Sequence, residues 1–116
     1  MDDVRGRVTI APQVLTTIVR MTALEQRGVR RLASVPPKVR GLLAGTAAEE
    51  GIFIEVAESG VLVQLHVVAE ADNNMLRLGE ALQAGVTRAI EEMVGMHVLS
   101  VDVHIDDVVL PVVQVE

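Results

Sequence analysis

The three histidines His66, His97 and His104 are the side chains of this sequence best suited to acid–base or metal chemistry near neutral pH. His66 and His104 fall on the polar faces of two alternating segments, with Asp102, Asp106 and Glu55 as neighbours from which a surface metal site could be built. No HxH, HxxxH or HExxH spacing supports that site, and two histidines on separate strands meet only in a register that sequence does not fix. A solvated polar face is the simpler reading, and no metal ligand is assigned. His97, close to Gly95, suits the end of a helix or open solvent.

Other chemistry is weaker still. Glu91-Glu92 and Asp106-Asp107 are sequence neighbours, which point in different directions on a helix or a strand and so make no acid–base pair. Ser34, Ser59 and Ser100 lack a nucleophile-elbow context, and Gly41 and Gly45 lack the Lys-Ser/Thr that a phosphate loop requires. Cysteine is absent, which removes thiol nucleophiles, disulfides and thiolate metal sites. Phe53 is the sole Phe, Tyr or Trp, so stacking platforms for bases, sugars or flavins are missing. No catalytic residue and no cofactor are expected.

Charge is distributed unevenly. Residues 1–40 hold eight Lys and Arg against three acids, a balance of +5, and the remainder balances at −11. A candidate basic patch comprises Arg27, Arg30, Arg31, Lys38 and Arg40, which allows peripheral contact with an anionic membrane or head-to-tail self-association. The acidic total of −6 and the lack of aromatic residues argue against nucleic acid. The acidic opening MDDVRGRVTI has no apolar signal region, and Pro111 interrupts the longest apolar run, so a cytoplasmic location is expected.

The elements that would position these residues form one domain over 1–116. Arg7 to Ile10 reads as a short strand, and Gln13 to Arg27 as a helix that opens near Pro12 and stops at Gly28. Residues 30–50, with Pro36-Pro37 and two glycines, read as a flexible connection. Ile52 to Val56 and Val61 to Val67, separated by Glu58-Ser59-Gly60, form a hairpin. Asp72-Asn73-Asn74 caps a second helix whose stripe is Met75, Leu78, Leu82, Val86, Ala89, Ile90 and Met93, closed by Gly95. Gly79 and Gly85 inside it suggest close packing on the sheet.

In the last strand, Val98 to Ile105, Leu99, Val101, Val103 and Ile105 share one face and Ser100, Asp102, His104 and Asp106 the other. Residues 108–116 read as an extra edge strand or a loose tail. The predicted class is α+β: a two-layer sandwich in ferredoxin-like βαββαβ order, with two helices on one face of a mainly antiparallel sheet.

Three blocks carry a family resemblance: Gly6-Arg7-Val8-Thr9-Ile10-Ala11-Pro12 onward to Gly28-Val29, the hairpin Gly51 to Val67, and Val86-Thr87-Arg88-Ala89-Ile90-Glu91-Glu92-Met93-Val94-Gly95-Met96-His97-Val98 with Val101 to Ile105. Together they resemble the alkaline shock protein family of bacterial envelope-stress proteins over nearly the whole chain. The chain departs from the usual family pattern at Glu70-Ala71, Val94 and Asp102.

The resemblance implies a cytoplasmic, non-enzymatic protein that self-associates and is held near the membrane by an anchor protein. It transfers no catalytic residues. The leading expectation is a scaffolding or adaptor protein whose contact surface includes Gln64, His66, Asp102, His104, Val109, Val112 and Val113. The competing expectation is a small accessory or regulatory subunit that binds an enzyme, an anionic membrane or a ligand through its open face or basic region.

Overall fold

Proline at the first helical turn and apolar residues spaced by three and four start α1 (Pro12–Glu25), which buries Leu15, Ile18, Val19 and Ala23. The structure, a computed structural model, describes residues 5–35 and 47–111. The α1 helix stops at Gln26, whose amide donates to the Ala23 carbonyl at 3.2 Å. Gly28, at φ +100°, turns the chain directly into β1 (Val29–Leu32). The stretch 30–50 therefore begins in one strand and ends in another, β2 (Ala47–Glu49), while residues 36–46 lie outside the described residues.

The expected hairpin is present as β3 (Ile52–Ala57) and β4 (Gly60–Glu70), paired from Ile52↔Leu65 to Ala57↔Gly60. Asn74 caps α2 (Met75–Met93) by accepting from the Arg77 amide at 2.9 Å, and Leu78, Leu82, Val86 and Ile90 form its buried stripe. The chain then enters β5 (Val98–Val109), longer than expected because Val108 and Val109 continue the same strand.

β4 is the centre of the sheet. Its whole length pairs with β5 in parallel, and its other edge is shared, antiparallel, by β3 and then β1. At the seam the His66 amide donates to the Gly51 carbonyl at 2.7 Å, and the Ala33 amide donates to the His66 carbonyl at 2.9 Å. Both helices lie on one face, where Leu15, Val19, Leu82, Val86 and Ile90 pack on Ile52, Ile54, Val63, Leu65 and Val67.

The class is the expected α+β sandwich over a mainly antiparallel sheet, but the order is αβββαβ rather than βαββαβ. Both edges of β4 are taken by β5, β3 and β1, so Arg7 to Ile10 finds no place beside it and forms no strand. Val8 stands 91% exposed. Two further expectations change for local reasons. Leu99 sits at a register shift of β5 and is exposed instead of joining Val101 on the buried face. A Cβ at Gly85 would touch Thr22 of α1 at 3.4 Å, and one at Gly79 would meet nothing within 4 Å, so neither glycine marks close packing on the sheet.

Candidate functional site

The face of the sheet away from the helices gathers three rings in a row: Phe53 of β3, His66 of β4 and His104 of β5. Phe53 and His66 meet edge to face at 5.9 Å between centroids, and His66 and His104, register partners, stack at 4.5 Å with planes 8° apart. The expectation that His66 faces water is overturned, because these neighbours leave it 8% exposed. His104 remains exposed.

Both ring nitrogens of His66 are engaged. Nδ1 lies 2.8 Å from an Asp106 carboxylate oxygen, which can only accept, and Nε2 lies 3.0 Å from the Gln64 amide nitrogen, which can only donate. Asp106 reaches this position because a register shift falls between Val67↔Ile105 and Val68↔Asp107, leaving it as the extra residue. With its Nε2 lone pair occupied, His66 is arranged as a cross-strand tie rather than as a proton acceptor for a substrate. Imidazole lone pairs lie in the ring plane, and the near-parallel planes of His66 and His104 do not converge on one ion as placed. Among the described residues no three His, Asp or Glu side chains form a metal cage.

Asp102 lies opposite Gln64 on the same face, and both border a shallow depression of about 160 Å³ with Phe53, Glu55, Leu62 and Ser100. Val109 is half-buried opposite Glu70, while Val112 and Val113 lie outside the described residues. Arg30 donates to Glu70 at 3.0 Å and also to the Leu110 carbonyl, so its charge is matched within the fold. Arg31 and Arg27 are exposed, Arg27 beside Asp72 and Asn73 at the α2 entrance. Lys38 and Arg40 fall outside the described residues. His97 lies 3.3 Å from Glu91, at the exit of α2.

An exposed strand edge was expected as a contact surface without its strand being fixed, and the outer edge of β5 is such an edge, since β5 pairs with β4 alone among the described residues. The Gln83 amide of α2 donates to the outward Val101 carbonyl at 3.1 Å. Strand alternation gives Val103 and Ile105 the same outward backbone direction. Beside them is a hollow of about 220 Å³ lined by Met75, Leu76, Gly79, Val103 and Ile105, among others. Leu76 is 74% exposed there. The sequence signal was an apolar residue and a glycine three positions apart on the edge of an otherwise ordinary amphipathic helix.

The model of the alkaline shock protein 23 family, described as having a cell envelope-related function, matches residues 1–110. No curated protein matches the chain. Among solved structures, the chain is similar to two variants of MamM CTD. The first, a zinc form, has TM-score 0.55 and 13% identity, covering 86% of each chain. The second has TM-score 0.51 and 10% identity, covering 82% of this chain and 93% of that one. At such identity the likeness concerns the fold alone.

Proposed function

The chain belongs to the alkaline shock protein 23 family, with its cell envelope-related function, and from that premise we propose that it is a non-enzymatic scaffold or adaptor acting by self-association and protein contact at the cytoplasmic face of the membrane. The observation that carries this reading is the outer edge of β5, a strand of 12 residues whose outer side pairs with no strand among the described residues and whose outward amides and carbonyls suit the addition of another strand. Strand addition supplies affinity through main-chain hydrogen bonds and needs no reacting side chain. The engaged ring of His66 fits such a role, since its bond to Asp106 fastens β4 to β5 while Gln64 of β4 occupies the other ring nitrogen.

Among the described residues no helix is long and apolar enough to cross a membrane. In this reading the envelope role runs through a membrane-anchored partner or peripheral contact. Sedimentation velocity of the full chain over a wide concentration range tests the self-association. A sedimentation coefficient that rises with concentration is expected, and a monomer at every concentration would remove the scaffold reading.

A further inference from the structure

We infer that the N-terminal arm, residues 7–10, of one copy adds as a strand to the outer edge of β5 in a second copy. This rests on the self-association reading and names the surface that performs it. The arm has a strand pattern but no strand: Val8 and Ile10 alternate with Arg7 and Thr9, yet no backbone hydrogen bond joins residues 6–10 to the sheet among the described residues. Val8 is 91% exposed and Ile10 39%. An alternating segment gains nothing from such exposure in an isolated protomer, and gains both a ladder and a buried face when another sheet receives it.

The receiving edge matches in three respects. Gly6, at φ +82°, bends the chain just before the extended run Arg7 to Ile10, whose four residues span about 13 Å, and the segment of β5 beyond the Gln83-capped Val101 carbonyl, from Val103 to Val109, is long enough to receive them. Side-chain alternation places Val8 and Ile10 on the helix side, against the hollow formed by Leu76, Gly79, Val103 and Ile105. It places Arg7 on the opposite side, where β5 carries Asp102, Asp106 and Asp107 and no Lys or Arg. Pairing one β5 edge with another would instead bring these carboxylates together, a like-charge arrangement that disfavours the symmetric alternative. The contact is heterologous, because arm and edge are different surfaces of the same chain.

Two substitutions test it without touching the core. Val8→Asp disables the arm, in a residue that belongs to no strand. Gly79→Leu fills the hollow, at a position where an added Cβ meets nothing within 4 Å. Each variant alone should associate about tenfold or more weakly than the parent chain, as expected when a valine side chain loses its burial, with unchanged circular dichroism. Mixed together, the two variants should recover a one-to-one complex, since Val8→Asp retains an intact edge and Gly79→Leu an intact arm. Parental association in either variant, or no complex in the mixture, overturns the arm exchange. A parent chain that stays monomeric would instead overturn the scaffold reading beneath it.

Discussion

Leu65→Ala should lower the stability of the fold by about 2–5 kcal/mol, because a wholly buried leucine is replaced by a cavity its neighbours fill only in part. Leu65 stands at the middle of β4, between Ile52 of β3 and Val103 of β5, and points into the core under both helices. A loss of this size is a large fraction of the stability of an ordinary domain. Leu76→Ala is the matched control: the same side chain is removed from a position 74% exposed, and a change within about 0.5 kcal/mol is expected. Urea unfolding of both variants measures the contrast, and equal midpoints would contradict the assignment of the core to the helix side of β4. Leu76→Ala should nevertheless weaken association, since Leu76 borders the hollow beside β5.

Gly51→Val should cost about 3 kcal/mol, from a backbone conformation that disfavours side chains and from close contacts that have nowhere to yield. Gly51 adopts φ +73°, and a Cβ there would lie 2.8 Å from the carbonyl oxygens of Ala33 and His66. Both oxygens belong to the seam where the edge of β4 passes from β3 to β1. The substitution must therefore push β1 away or shift the His66 backbone, and the stacked pair with His104 moves with it. A drop in the urea midpoint together with shifted His66 and His104 ring resonances is expected. Full stability in Gly51→Val would show that the seam is looser than described.

What was legible in the sequence follows from how local each signal is. The β3–β4 hairpin and the α2 stripe depend on alternation, turn residues and a cap within one stretch of chain, and Ile52 to Val67 and Met75 to Met93 fold accordingly. The class follows from their sum. The strand expected at Arg7 to Ile10 had the right pattern, but pairing depends on which edges are free, and β4 has none left. The same limit applies to the site. Sequence put His66 and His104 on polar faces, whereas their stacking, and the engagement of His66 by Asp106, depend on a parallel register and on an extra residue at Asp106. Leu99 and Arg30 show the same dependence: one is exposed by a register shift, the other matched by Glu70 across 40 positions of chain.

The outward amides of Val103 and Ile105 report directly on whether the outer edge of β5 is a contact surface. In a lone protomer they face solvent at the rim of the sheet and exchange hydrogen quickly; under an added strand they become ladder hydrogen bonds and exchange slowly. Amide exchange followed by NMR, at low and at high protein concentration, should show these two amides slowing as concentration rises in the parent chain but not in Gly79→Leu. Equal exchange rates at every concentration, in a sample that sedimentation shows to be associated, would mean that copies of the chain meet elsewhere.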